Sequence, residues 1–115
     1  MEKVWLKSYP PGVPAKIDPS RFASVAALFV ESCEKFAEKT AYLSMGKGIG
    51  YRELADAAHA FAGWLQSRGV KKGDRVALMM PNVLQYPIAL FGTLLAGGVV
   101  VNCNPLYMPR ELEHQ

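Results

Sequence analysis

The amino-acid sequence predicts an α/β fold with elements in the order β-α-β-α-β-α and a mainly parallel sheet. Helical spacing of apolar residues marks 51–67 as the clearest helix. Near-continuous apolar runs at 75–80 and 99–101 are typical of strands covered on both faces. The chain supplies few strands and ends while starting another helix, so the prediction is a partial parallel-sheet subdomain.

The first 20 residues are predicted to be an extended arm, and residues 21–115 an incomplete α/β unit. Prolines 10, 11, 14 and 19 restrict the backbone and remove hydrogen-bond donors. Trp5 and Tyr9 lie between or before these prolines, and we expect them to anchor the arm on an apolar surface of the same domain or of a twin subunit.

The first helix is predicted to begin after Ser24, whose hydroxyl suits an N-cap. Val25, Phe29 and Cys33 then recur at helical spacing, with the glutamates on other faces. Cys33 is therefore predicted to be a small buried hydrophobe rather than a reactive thiol.

A short strand at 41–45 is predicted to lead into a turn through Gly46, Gly48 and Gly50. A dinucleotide-binding glycine loop would occupy the same place between a strand and a helix. The GxGxxG spacing requires a third glycine where Tyr51 stands, so we favour a plain hairpin-like turn. The GxxxxGK[ST] phosphate loop is also absent from the sequence.

The helix at 51–67 is predicted to be closed by Gly69, and the strand at 75–80 follows a polar turn. Asn82 and Gln85 resemble a capping box for a helix running to about residue 96. Pro87 predicts a kink or an irregular first turn in that helix.

The last two predicted elements are a buried strand and a helix. Gly97 and Gly98 end the preceding helix, 99–101 is the second buried strand, and Pro109 opens the last helix. The residues after Pro109 favour helix but provide barely two turns, which are unstable in water unless something packs on them.

Charge and hydropathy restrict the classes of partner. The net charge is +3, and the basic residues are spread along the chain without interleaved aromatics, so nucleic-acid binding is not predicted. Residues 76–109 carry no Asp, Glu, Lys or Arg, but the longest unbroken apolar run, 88–101, is too short for a spanning helix. The first residues lack the apolar core of a signal peptide, and the two cysteines suit a reduced cytosolic setting.

The sequence itself predicts no catalytic, cofactor-binding or metal-binding residue. His59 lies on a helix among alanines, and His114 lies in the terminal helical turn; both are interpreted as surface or edge histidines. Cys33 and Cys103 have no CxxC partner, and no serine occupies a nucleophile elbow.

The chain resembles the N-terminal portion of bacterial long-chain fatty acid–CoA ligases, in the AMP-forming adenylate-forming superfamily. The segments that carry the resemblance are Val4–Leu6, Tyr9–Pro10, Val13–Pro14, Lys72–Asn82, Gln85–Pro87, Ala89–Gly92, Asn104–Tyr107 and Pro109–Leu112. The resemblance implies that the α/β unit belongs to the large N-terminal domain of such an enzyme, and that the chain is a fragment without activity of its own.

The reaction implied by the resemblance joins a fatty acid to coenzyme A at the expense of ATP, with Mg²⁺ as cofactor. The family's phosphate loop, nucleotide-binding residues, acyl tunnel and C-terminal lysine are expected beyond Gln115. The implied partners are the remainder of the ligase chain and a long-chain fatty acid, with a homodimer through the arm or an exposed apolar surface. The implied location is cytoplasmic, with peripheral contact on the inner face of the membrane.

Two positions depart from the family pattern. Gly50 and Met108 stand where threonine or serine caps the helices beginning at Tyr51 and Pro109. Two alternatives stay open beside the ligase: a stand-alone protein-interaction module and a membrane-associated module.

Overall fold

The computed structural model describes residues 3–115, so the first two residues of the predicted arm lie outside the described residues. A 3₁₀ helix is followed by four α-helices and four strands. In chain order these are the 3₁₀ helix Val4–Ser8, α1 Val25–Lys35, β1 Thr40–Ser44, β2 Lys47–Gly50, α2 Tyr51–Ser67, β3 Arg75–Leu78, α3 Gln85–Leu95, β4 Val99–Asn102 and α4 Pro109–His114.

The Pro-rich arm is not extended throughout. Its 3₁₀ helix Val4–Ser8 precedes the first proline, where every residue still has an N–H to donate. That helix packs on none of the other described helices and strands. Trp5 is 48% exposed and Tyr9 41% exposed.

The N-cap prediction for α1 is confirmed. The Ser24 hydroxyl accepts a hydrogen bond from the Ala27 N–H at 3.0 Å. Phe29 and Cys33 are both buried, as the helical spacing predicted.

The predicted hairpin-like turn is present, but it is tighter than expected, because Gly48 and Gly50 belong to the second strand of a β-hairpin. β1 and β2 pair antiparallel, with Ser44 opposite Lys47, so the connection is only the two residues Met45 and Gly46. Both have positive φ, +50° and +76°, which is the conformation of a type I′ turn. Because β1 pairs with β2, it does not join the parallel strands, and the prediction of a single, mainly parallel sheet is wrong although the α/β class is confirmed.

The core is formed where α2 and α3 cross. Both predicted ends of α2 are confirmed, and Gly69 follows with a φ of +91°. A methyl group built on Gly92 of α3 would lie 2.8 Å from the Ala58 carbonyl oxygen and 2.8 Å from a Phe61 ring carbon. Only glycine therefore permits this close approach of the two helices.

β3 and β4 form the parallel pair, with Arg75 opposite Val99 and Leu78 opposite Asn102. Residues directly opposite each other share a face. One face, containing buried Leu78, packs against α3. On the other face Ala77 and Val99 are exposed, so the prediction of strands covered on both faces is wrong for the described residues.

The predicted capping box at the start of α3 is also wrong. The helix begins at Gln85 with Leu84 as N-cap, and no side chain caps it. Pro87 consequently falls in the first turn, where its missing N–H has no intrahelical partner to lose. The irregular backbone that the proline pattern predicted lies at 81–84, before the helix. Across residues 3–115, no helix is long and apolar enough to cross a membrane.

Candidate functional site

The two histidines lie on the surface and are not brought together. The His59 ring Nδ1 is 2.8 Å from the Ala55 carbonyl oxygen of its own helix, in a groove between α1 and α2. His114 lies in α4 and lines a separate open concavity of about 770 Å³ beside Arg110 and Glu111. The described residues contain no group of three or more His, Cys, Asp or Glu side chains that could hold a metal ion.

The two cysteines are free and buried. Burial raises the pKa of the Cys33 thiol, which disfavours the thiolate needed for nucleophilic chemistry. The Cys103 Sγ lies 3.7 Å from the Val101 carbonyl oxygen. The burial of Cys33 and its raised pKa agree with the interpretation of this residue as a small buried hydrophobe.

The segment Gly46–Gly50 is not arranged as a phosphate cradle. Helix N-termini bind anions through free N–H groups. At α2 the Tyr51 N–H donates to the Lys39 carbonyl oxygen at 3.0 Å, and the Arg52 N–H donates to the Ala37 carbonyl oxygen at 3.3 Å. These amide groups are thus already occupied by the main chain of the α1–β1 connection.

The polar groups that do converge lie at the carboxyl end of the parallel strands, where open α/β sheets place their ligands. The Tyr86 hydroxyl of α3 donates to the Asn102 side-chain oxygen at the end of β4. The Gln115 side-chain amide donates to the Asn102 main-chain carbonyl oxygen at 3.0 Å. This bond ties the end of α4 to the same strand. The next loop is held by the Asn104 side chain, which accepts the Leu106 N–H at 2.9 Å.

Sequence reasoning did not single out this cluster. Asn102 comes directly after the apolar run 88–101, and Asn104 belongs to a segment that carries the family resemblance. Their position directly after a predicted strand was the available signal. The cluster can orient the chain by hydrogen bonds, and the Tyr86 hydroxyl is already bonded to Asn102.

Comparison with known proteins places this geometry in a family. Residues 29–115 match the family of AMP-binding enzymes. The chain belongs to the AMP-binding enzyme family. This membership confirms the resemblance inferred from the motifs at 72–82 and 104–112.

The relatives include curated long-chain-fatty-acid–CoA ligases. The Yersinia pestis ligase is 58% identical over the whole of this chain, and the Bacillus subtilis ligase is 40% identical over 99% of it. These alignments cover 21% and 20% of the two ligases. The chain therefore spans about a fifth of the length of the curated relatives it matches.

Solved structures of other proteins share the fold. A benzoate CoA ligase from Burkholderia xenovorans LB400 superposes with a TM-score of 0.72 and 35% identity, covering 77% of this chain and 18% of that one. The N-terminal subdomain of Klebsiella oxytoca NpsA in complex with anthranilyl-AMSN gives a TM-score of 0.79 and 26% identity, covering 85% of this chain and 26% of that one.

Proposed function

We propose that this chain is a structural portion of an AMP-forming long-chain fatty acid–CoA ligase. The supporting observation is the 58% identity along the whole chain to the Yersinia pestis ligase, of which it covers 21%. In the proposed reaction, a fatty-acid carboxylate oxygen bonds to the α-phosphorus of ATP and pyrophosphate leaves. The thiol of coenzyme A then attacks the acyl carbon, forming the thioester and releasing AMP and a proton.

We propose that Mg²⁺ and the nucleotide bind outside the described residues. The described residues offer no cluster of three ligating side chains, and the first two N–H groups of α2 are already bonded. ATP, Mg²⁺ and coenzyme A are accordingly proposed for the whole enzyme. We assign no catalytic, cofactor-binding or metal-binding role to residues 3–115.

The proposed contribution of this chain is a scaffold. Ala77, Val99 and Val101 share the face of the parallel pair that lies opposite α3, with the exposed Arg75 at its end opposite Val99. Apolar strands of a parallel sheet are stable when helices cover both faces. We propose that the remainder of the ligase polypeptide covers this face, and that the arm with Trp5 makes the contact with a twin subunit.

Pyrophosphate–ATP exchange dependent on a long-chain fatty acid tests this assignment. We expect no exchange above the blank for the 115-residue chain, and exchange by the Yersinia pestis ligase assayed as a positive control. A hybrid of that ligase in which this chain replaces its aligned residues should retain exchange, because the replacement is a scaffold for a site located elsewhere. Exchange by the chain alone, or an inactive but folded hybrid, would contradict the proposal.

A stand-alone interaction module is the second candidate, and the exposed Ala77–Val99 face favours it. A module of this kind would unfold cooperatively as a monomer although this face is open. A scaffold lacking its covering layer would unfold less cooperatively and would self-associate through the open face.

We propose a cytoplasmic location with peripheral contact at the inner face of the membrane. Supporting this, fatty acids partition into bilayers, and 76–109 is free of charged residues. Vesicle sedimentation followed by a high-salt wash tests this location. A peripherally bound chain sediments with the vesicles and is released by the wash, whereas a chain that does not bind stays in the supernatant.

A further inference from the structure

The tip of the β1–β2 hairpin carries two large apolar side chains that the fold does not bury. Leu43 is 79% exposed and Met45 is 93% exposed. Leu43 stands opposite Gly48, which has no side chain to cover it. A protruding pair of this kind has no packing role in the described part of the chain.

Met45 also occupies a backbone conformation that disfavours it. It is the only non-glycine residue from 3 to 115 with positive φ, and a type I′ turn favours asparagine at its place before Gly46. A methionine there costs folding free energy without gaining buried surface. Such a cost at an exposed site indicates a role outside folding.

The hairpin and the loop packed beside it carry positive charge and no acidic side chain. Lys47 is the only charged residue from 40 to 50, and the loop packed beside the hairpin lies within the uncharged stretch 76–109. The Ser44 hydroxyl donates to the Asn82 carbonyl oxygen at 3.2 Å, fixing hairpin to loop. A groove of about 260 Å³ between them is lined by Ser44, Met45, Lys47, Val83, Leu84 and Gln85.

We infer that this hairpin tip, Leu43 to Lys47, docks on an anionic phospholipid surface. Leu43 and Met45 enter the interfacial layer, where burial of apolar side chains is favourable. The Lys47 ammonium stays at the headgroups and attracts the anionic lipid. The docking tip rests on the peripheral location proposed above, but not on ligase activity.

The test is sedimentation of the 115-residue chain with phosphatidylcholine vesicles, with and without phosphatidylglycerol. We expect the Leu43→Ser, Met45→Asn double variant to lower the partition coefficient by about tenfold or more, since two side chains leave the lipid. Met45→Asn suits the turn better than methionine, so loss of the fold would not explain this result. Lys47→Glu should weaken binding about fivefold or more, on the anionic vesicles only.

The chain provides a matched control in Leu106 and Met108, which are 82% and 67% exposed and have the same spacing. The Leu106→Ser, Met108→Asn variant should bind like the unmodified chain. Equal losses in both double variants would indicate general apolar adhesion and overturn the inference. Unchanged binding by the hairpin variant, or no binding by the unmodified chain, would also overturn it. None of these outcomes touches the ligase assignment, which pyrophosphate exchange tests separately.

Discussion

Gly50 and Met108 are the N-caps of α2 and α4, and neither provides a side-chain hydrogen bond to its helix as a threonine or serine would. At α4 the Glu111 carboxylate instead accepts the Met108 N–H at 2.8 Å. This hydrogen bond satisfies the main-chain N–H of Met108, which precedes the helix, and not a main-chain N–H of the helix itself. Both positions have the extended backbone that an N-cap requires, with a ψ of 161° at each.

Gly50→Ser should stabilise the chain by about 1 kcal/mol. The Gly50 φ of −79° suits any residue, and a Cβ there would meet the Lys39 carbonyl oxygen at an ordinary 3.5 Å. The added hydroxyl can accept the Glu53 N–H and create an S-x-x-E capping box. Urea unfolding measures the change, with Gly50→Ala as the control that adds a Cβ without an acceptor. Equal gains from both variants would exclude capping as the cause.

Cys33 should make stability depend on pH in the alkaline range. Burial raises its pKa above the usual 9.0, so the folded state holds this proton more tightly than the unfolded state. The resulting stability is complete below the unfolded pKa and is lost as pH rises through the folded pKa. Tyr42 is shifted in the same direction, mainly by its own burial. The free energy of unfolding should therefore decrease less above pH 9 in Cys33→Ala than in the unmodified chain, and parallel curves would contradict this.

At the scale of elements, two glycines on the crossing helices should respond oppositely to the same substitution. Gly92→Ala places a methyl group 2.8 Å from main-chain and ring atoms of α2, and we expect a loss of roughly 1–3 kcal/mol. Gly63→Ala places the same group in open space on α2, and we expect a gain of about 0.5–1 kcal/mol from helix propensity. Thermal and urea unfolding of both variants measure the difference. Similar effects would mean that the helices can move apart at Gly92.

The elements that were predictable are those whose signal is local. α2 was correct at both ends because its apolar spacing and Gly69 are adjacent in sequence, and Ser24 capped α1 because capping acts over three residues. The second strand of the hairpin was missed because Lys47–Gly50 becomes a strand only by pairing with β1. The polar cluster was missed because Tyr86 and Asn102 meet only after α3 folds onto β4. Pairing and docking depend on tertiary contacts that a single-sequence pattern does not contain.

At the scale of the whole molecule, residues 3–115 cover the parallel pair on one side only. α3 packs on the face containing Leu78, while Val99 on the opposite face is 47% exposed. Apolar residues of a sheet that lack a covering layer are typical of a unit that packs against another part of a protein. The scaffold proposal identifies that surface as the remainder of the ligase polypeptide, and this can be tested at one position.

Val99→Asp should have contrasting effects in the two settings. In the 115-residue chain the side chain is half exposed, so we expect a change in unfolding free energy within about 0.5 kcal/mol apart from the lower strand propensity of Asp. In the hybrid ligase the same carboxylate would be buried, with Arg75 on the neighbouring strand as its facing charge. We expect a loss of about 1–3 kcal/mol with reduced soluble yield, because one ion pair does not offset the desolvation of both charges. Leu106→Asp, at an 82% exposed position outside the sheet, is the control and should be tolerated in the chain. If Val99→Asp were equally mild in both settings, this face would stay open in the enzyme, and the covering layer would have to pack elsewhere.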